Sequence, residues 1–292
     1  MAVSVSTSRM SGAKKAKISR TINAIITHAV LIISGLVWIY PFIWTVANSL
    51  KTPEDFISNS LNLIPSSPQW SNYTQAWEEA SFGQFFMNTA IITITSVFFT
   101  VIITAMAGFV LARTSFPGKK LILGIIAVTF FLPHGYTIIP IFDVVQRLGL
   151  LNTLTGIILV QTAGGMIFNT FLFMGYFSTL DRELEYAARV DGANFHQLFW
   201  RVMFPLARPM IATVGLFAFV SSWNSFLIPL VFTLGVPELR TLAVGLYAFI
   251  GEASTDWTLL CAASVIALLP IILVFVVAQK QIINAVAGAV KS

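Results

Sequence analysis

Charge is what this chain has least of. Among its 292 residues, 10% are Asp, Glu, Lys or Arg and 57% are hydrophobic, a balance that places it outside the soluble range and among proteins whose solvent is lipid. Cysteine is nearly missing. The lone Cys261 excludes an internal disulfide and reads as a small buried apolar residue. His28, His134 and His196 show no metal-ligand spacing. No Gly-x-x-x-x-Gly-Lys-Ser/Thr run occurs, since Gly118-Lys119-Lys120 has neither the upstream glycine nor the hydroxyl that cradling a nucleotide needs. No nucleophile–base arrangement is visible. The expectation is a chain with no catalytic residue, no metal and no cofactor of its own. Ionisable groups are also scarce inside the apolar runs, Asp143 near one end being the nearest case. Proton-coupled carriers need acidic or histidine relays at depth, so the composition suits an uncharged solute and energy supplied from elsewhere.

What the chain does have is long apolar runs. Six of them, at about 22–48, 85–112, 119–146, 153–178, 206–233 and 258–284, are each long enough for a hydrocarbon core of ~30 Å. Together they predict an all-α integral membrane protein, with a basic tail over 1–21, a spanning domain over 22–284 and a short tail over 285–292. The outer loops fall at about 49–84 and 234–257. Thr241–Ile250 is apolar but too short to cross and is expected as an outer-surface helix. Fourteen Lys and Arg residues fall on one side of this arrangement, and Lys51, Arg147 and Arg240 on the other. The positive-inside rule therefore puts both termini in the cytoplasm. The basic residues are dispersed at span ends, so no nucleic-acid partner is implied. The first run is too long for a signal peptide and no small-residue cleavage pattern follows it, so it is expected to remain as an anchor.

Between the fourth and fifth runs lies a charged, helix-prone island, Asp181 to Pro209. Asp181 can cap a first helix whose early turns hold Glu183 and Glu185, where carboxylates suit the helix dipole. Leu184, Ala187 and Ala188 share a face. Gly192 interrupts. Asn194 and Gln197 then form a capping-box-like start, and Phe195, Leu198, Phe199 and Val202 repeat at i, i+3, i+4 and i+7. Pro205 is expected to end that helix. By itself this is an amphipathic hairpin on the membrane surface.

Polar residues inside the runs are grouped. Gln161, Gly165 and Asn169 fall on one helical face, and Ser221-Ser222-Trp223-Asn224-Ser225 precedes Pro229. Pro133, Gly135, Tyr136 and Pro140 break the third run. Broken backbone at membrane depth is tolerated where protein covers it or a wet cavity faces it. Amides, hydroxyls and an aromatic ring suit an uncharged polyol, which makes Tyr136, Gln161, Asn169, Ser222, Trp223 and Asn224 the candidate solute pathway. The Thr93, Ser96, Thr100 and Thr104 stripe reads instead as helix–helix packing.

The island resembles the cytoplasmic "EAA" loop of bacterial ABC-importer permeases: Ala187-Ala188, then Asp191-Gly192-Ala193, then Val202-Met203-Phe204-Pro205. The likeness continues through Tyr40-Pro41-Phe42, Asn48-Ser49-Leu50-Lys51, Asn88-Thr89-Ala90, Phe116-Pro117-Gly118-Lys119, Trp223-Asn224 and Ala287-Gly288-Ala289-Val290-Lys291. It is similar to the carbohydrate branch, and to the second permease of maltose-type importers. One departure stands out. The family's motif glutamate falls on Tyr186, with Glu185 one residue earlier, and a one-residue shift turns a side chain by about 100° around a helix. The resemblance implies a type I importer permease fold of six spans with coupling helices. It also implies a second permease, two ATPase subunits that hold MgATP, an external solute-binding protein and a sugar substrate. It places ATPase contacts on Glu185, Tyr186, Ala187, Ala188, Asp191, Gly192, Ala193, Phe195 and Phe199. Binding-protein contacts fall on the tip Gly251, Glu252, Ser254, Thr255 and Asp256. The competing expectations from the residues are a self-sufficient secondary transporter and a membrane scaffold, the latter leaving the polar span residues without a role.

Overall fold

The computed structural model describes residues 5–78, 81–129, 137–250 and 255–290. Helices dominate. Among the described residues no strand forms, and one isolated bridge joins Ile250 to Thr255. In chain order they are α1 (Val5–Ser49), α2 (Pro53–Asn59), α3 (Ser71–Glu78), α4 (Phe82–Arg113), α5 (Lys119–Thr129), α6 (Ile138–Arg147), α7 (Leu154–Gly164), α8 (Met166–Thr179) and α9 (Glu183–Val190). Then come α10 (Phe195–Gln197), a π-helix at Leu198–Met203, α11 (Phe204–Leu206), α12 (Arg208–Trp223), α13 (Leu227–Phe232), α14 (Leu242–Gly245) and α15 (Trp257–Val290). Among the described residues, Thr21–Ser49, Phe82–Arg113 and Trp257–Gln279 are each long and apolar enough to cross a membrane. Two bent pairs, α7 with α8 and Phe195–Leu206 with Arg208–Trp223, bring that number to five.

Several runs are less regular than hydropathy predicts. The third appears as α5 and α6, while Pro133, Gly135 and Tyr136 lie outside the described residues. The fourth bends by 45° between α7 and α8, at Gly165, the residue between them. The fifth stops at Trp223 and resumes as α13 after a short break. The expected outer helix over 241–250 is one α-turn followed by a 3₁₀ turn, Leu246–Phe249. Its Leu242, Val244 and Phe249 are buried instead of lying on a surface. A ten-residue segment has too few internal hydrogen bonds to hold a helix without tertiary support, and here the support comes from α4. Thr89 Oγ1 accepts the Leu242 N–H at 2.8 Å, and the Asn88 amide donates to the carbonyls of Glu238 and Arg240 at 2.7 and 3.0 Å.

α4 is the central helix of the bundle. Thr93, Ser96, Thr100 and Thr104 are all buried on the face it turns to its neighbours. Small hydroxyl residues let backbones approach and find local acceptors, and Thr104 Oγ1 donates back to Thr100 O at 2.6 Å. At Gly108 the approach is closest: a Cβ there would sit 2.6 Å from Phe173 Cβ and 2.8 Å from the Met174 nitrogen of α8. The stripe read from the sequence as packing is packing along most of its length.

At the end of the bundle bearing α2 and α3, Lys51 is completely buried, its ammonium donating to the Asn59 and Asn62 carbonyls at 2.8 and 2.6 Å. The Asn72 amide holds the same turn by donating to the carbonyls of Ser49 and Lys51, each at 2.9 Å.

Candidate functional site: a docking loop and a polar cavity

At the other end of the bundle lies the charged island. The Asp181 carboxylate accepts the Glu183 N–H at 3.0 Å from one residue ahead of the cap position of α9, which is Arg182. α9 ends at Asp191, and the chain turns on Gly192, whose φ of +84° is a conformation that costs any other residue Cβ strain. The second helix opens with the expected capping box: the Asn194 side chain accepts the Gln197 N–H at 2.9 Å and the Gln197 side chain accepts the Asn194 N–H at 3.0 Å.

Two expectations about this loop need correction. The second helix does not end at Pro205, because it passes into a π-helix and continues to Leu206. Pro205 has no N–H, and its neighbour Phe204 donates five residues back to Phe199. Met203, at i+8 from Phe195 and so on the same side of a helical period, is buried beside Leu198 and Phe199, while Val202 is half-buried and Phe195 exposed. The chain then turns through 77° at Ala207 into α12.

Glu185 is the second correction. Its carboxylate turns inward, not toward a partner. Glu185 is 8% exposed, and its Oε1 lies 3.0 Å from Nε of Arg113, the last residue of α4, in an ion pair whose angles fall short of a hydrogen bond. The same guanidinium donates to the Leu180 carbonyl at the end of α8. Tyr186, one residue on, is 61% exposed. Ala188, Leu198, Phe199 and Met203 pack with Phe109 of α4 and Phe173 and Phe177 of α8 in one apolar cluster. Each such large side chain withdrawn from water contributes roughly 1.5–3 kcal/mol, so the loop is fastened to α4 and α8 as a unit. Its outward surface mixes charged residues such as Arg182, Glu183, Arg189 and Asp191 with exposed apolar ones, Leu184, Tyr186, Val190 and Trp200, Val190 at 87%. Val190 carries no motif and escapes sequence reasoning.

The interior holds the second feature. A cavity of about 210 Å³ lies where α4, α7, α8 and α12 meet, and its lining includes Ser96, Thr100, Gln161, Asn169, Ser221 and Ser222. Gln161, Gly165 and Asn169 therefore do converge, joined by Ser222. Trp223 and Asn224 do not belong to this lining. Trp223 is buried against Phe219 and Phe86, and its indole N–H donates to Ala267 O of α15 at 3.0 Å. Asn224 is exposed, and its amide donates to Val220 O at 3.0 Å, closing the end of α12. Trp223 thus ties α12 to α15, and Asn224 caps α12. Tyr136 lies outside the described residues, as do Gly251, Glu252 and Ser254. Asp256 caps α15, its carboxylate accepting from the N–H groups of Thr258 and Leu259 at 3.1 and 3.0 Å. Thr255 pairs with Ile250. Among the described residues no group of three or more His, Cys, Asp or Glu could hold a metal.

The bundle thus carries two separate features, a cavity lined by uncharged polar residues between the spans and a charged, outward-facing loop at one end. The profile of the family described as "Binding-protein-dependent transport system inner membrane component" matches residues 104–287. The diacetylchitobiose uptake system permease protein of Streptomyces coelicolor is 33% identical over 264 residues, covering 90% of this chain and 87% of that one. The melibiose/raffinose/stachyose import permease protein of Bacillus subtilis is 33% identical over 253 residues, covering 86% and 91%. A solved chain of a bacterial ABC transporter involved in the import of the acidic polysaccharide alginate superposes with a TM-score of 0.79 at 28% identity, covering 90% of this chain and 98% of its own. This chain belongs to the inner-membrane components of binding-protein-dependent transport systems. It is a multi-pass transport subunit and not an enzyme, and in this family ATP is hydrolysed on separate subunits.

Proposed function

We propose that this chain is the membrane-spanning permease subunit of an ATP-driven, binding-protein-dependent importer of a sugar or oligosaccharide. The relatives named for sugar import cover most of the chain and most of their own length, and the polar, chargeless cavity suits such a solute. The proposed topology has six crossings, with α5 and α6 supplying the one that length and apolarity alone leave out, and both termini cytoplasmic. A second permease completes the pathway, a solute-binding protein delivers the sugar from outside, and MgATP is held by two ATPase subunits.

The ATPase docks on the loop over residues 181–206. The observation that carries this is the exposed apolar surface of Leu184, Tyr186, Val190 and Trp200, presented by a loop whose other face is locked to α4 and α8. A water-facing apolar patch on a rigid support marks a protein contact. Tyr186 meets the ATPase at the position where the family's glutamate stands, and Glu185 serves inside the permease. Val190→Asp places a charge in that contact and deletes an apolar side chain worth roughly 1.5–3 kcal/mol when buried. ATPase subunits should then co-purify at least tenfold less with the permease, which still inserts and pairs with its permease partner. Co-purification at the parent level would remove the loop from the dock.

A further inference from the structure

We propose that residues 53–64, which hydropathy places in an outer loop, form a wedge seated in the bilayer itself. It lies among the headgroups and first methylenes of the leaflet at the α2 end of the bundle, the outer one in the topology proposed above. The observation that places it is a depth. α1 ends at Ser49, yet the indole of Trp44 donates to the Ser60 carbonyl at 2.9 Å. Trp44 lies about 7.5 Å back from that end at 1.5 Å per residue. α2 therefore descends beside α1, the chain turns near Ser60, and it climbs again until the Gln69 N–H meets the Leu50 carbonyl at 2.8 Å. A hydrocarbon core is filled by about 20 helical residues, which from Thr21, the first residue of the span, ends near Tyr40. Trp44 and the turn at Ser60 then stand at the interface, where tryptophan collects. Two more rings mark the same level: Phe56 meets Trp44 edge-on and stacks on Trp257, with centroids 6.0 and 6.2 Å apart.

The free side of the wedge is apolar. Ile57, Leu61 and Ile64 are 81%, 79% and 76% exposed, as open as Trp38 in the middle of the span at 78%. Ile43 and Val46, on either side of Trp44, are exposed as well, so the patch continues the apolar exterior of α1. A patch of this kind belongs against an apolar partner. The backbone points the same way, because near hydrocarbon the protein itself must satisfy each polar group. Lys51 donates to the carbonyls of Asn59 and Asn62, and Trp44 to that of Ser60. Asn62 Oδ1 accepts the Ile64 N–H at 3.1 Å, and the Asp55 carboxylate the Ser66 N–H at 3.1 Å. A loop in water needs none of these, least of all a buried ammonium. No Lys or Arg occurs between Thr52 and Glu78, so insertion is apolar and not drawn by anionic headgroups. A soluble protein arriving from beyond the membrane would meet Leu50 and Gln69 first, with Leu61 below its reach. The lipid surface is the partner that the depth, the patch and the satisfied backbone share.

The test uses the full chain, with the subunits that co-purify with it, in phosphatidylcholine nanodiscs. Cys261→Ala removes the lone thiol, and single nitroxide labels are placed through Glu54→Cys, Ile57→Cys, Leu61→Cys, Ile64→Cys and Ser67→Cys, all exposed positions that folding tolerates. At each site the collision rate with oxygen, which concentrates in hydrocarbon, is divided by that with a neutral water-soluble nickel chelate. An interfacial element sits roughly 5–10 Å deep, so the ratio at Leu61 should exceed those at Glu54 and Ser67 at least about fivefold, with Ile57 and Ile64 between. It should stay within about twofold when half the lipid is phosphatidylglycerol. Rapid collision with nickel at all five sites would show a solvated loop. Slow collision with both reagents at Leu61 would show cover by protein: a permease partner if seen in the purified assembly, a solute-binding protein if seen only when one is added. Each of these overturns the lipid assignment, as does a ratio that rises only with the anionic lipid. The readout involves no transport, so loss of the importer reading leaves it standing.

Discussion

Removing the Arg113–Glu185 pair should loosen the docking loop from the spans before it does anything else. The two side chains are 4% and 11% exposed and lie 3.0 Å apart. At an effective dielectric of about 20, that separation corresponds to a gross attraction of about 5 kcal/mol. Much of it offsets the desolvation of both ions, so replacing the pair by apolar side chains should be close to neutral. Removing one partner strands the other, at about 3–5 kcal/mol. The loss is local, because the pair joins α9 to the end of α4, and it should appear as opening of α9 without global unfolding. Hydrogen exchange on the importer in nanodiscs reads this directly. In Glu185→Gln, amides of residues 186–190 should exchange at least a hundredfold faster, the ratio that about 3 kcal/mol gives, with amides in the middle of α4 unchanged. Arg113→Met should do likewise and also free the Leu180 carbonyl. Arg113→Met with Glu185→Leu should recover most of the protection. Singles that raise exchange less than tenfold, or a double variant worse than the two singles combined, would refute the claim that this pair fastens the loop.

Three further outcomes follow from other groups. Gly192→Val forces a β-branched residue into φ +84°. Because no atom of the described residues stands within 4 Å of the added Cβ, the cost is backbone strain alone, roughly 1–2 kcal/mol, read as weaker co-purification of the ATPase; Gly192→Asn should lose less, and equal losses would locate the effect elsewhere. Lys51→Met leaves the carbonyls of Asn59 and Asn62 without their buried donor, which should cost about 1–3 kcal/mol for each and make residues 53–66 sensitive to protease; unchanged resistance would show that water replaces the ammonium. The Asp55 carboxyl is held below its usual 3.8 by the Ser66 N–H first, then by the Asn59 amide. A depressed carboxyl stabilises the fold fully above its unfolded pKa and loses that contribution as pH falls through the folded one. Protection of residues 53–66 should therefore be flat above pH ~4, fall below it, and lose that pH dependence in Asp55→Asn.

The docking loop was the most legible part of the chain, because its determinants are local. The Asp181–Glu183 hydrogen bond, the glycine turn and the Asn194–Gln197 capping box each depend on residues a few positions apart, and hydrogen bonds within one turn leave their mark in the sequence. Gln161, Gly165 and Asn169 were legible as a helical-period face, and they still converge across the 45° bend at Gly165. What could not be read depends on partners far away in the chain. Glu185 looked like an outward carboxylate because nothing in the sequence places Arg113, 72 positions earlier, against it. Lys51 counted as an ordinary basic residue at a span end, yet it is buried by carbonyls that only the folded outer turn supplies. Trp223 was assigned to the pathway through the resemblance, since that part of the permease lines the family's cavity; in the structure its ring stacks on Phe219 and its N–H is taken by Ala267. The π-helix at Leu198–Met203 is a backbone event that no hydropathy period encodes.

α4 joins these features into one mechanical element. Near its start, Asn88 and Thr89 bind the backbone of the segment leading into α14. At its middle, Ser96 and Thr100 form part of the cavity wall. Toward its end, Gly108 lies against α8 and Phe109 packs into the docking loop, and its last residue, Arg113, holds Glu185. An unbroken helix of 32 residues is about 48 Å long at 1.5 Å per residue, and it transmits displacement because its hydrogen bonds do not shear easily. α7, α8 and α12 border the same cavity but belong to broken runs, interrupted at Gly165 and after Trp223. On the proposed docking of an ATPase on the loop, the continuous helix should carry a displacement of the loop past the cavity to the far end, while the broken ones yield at their breaks. The cavity lies between the two kinds of helix, which is where relative motion changes its shape most.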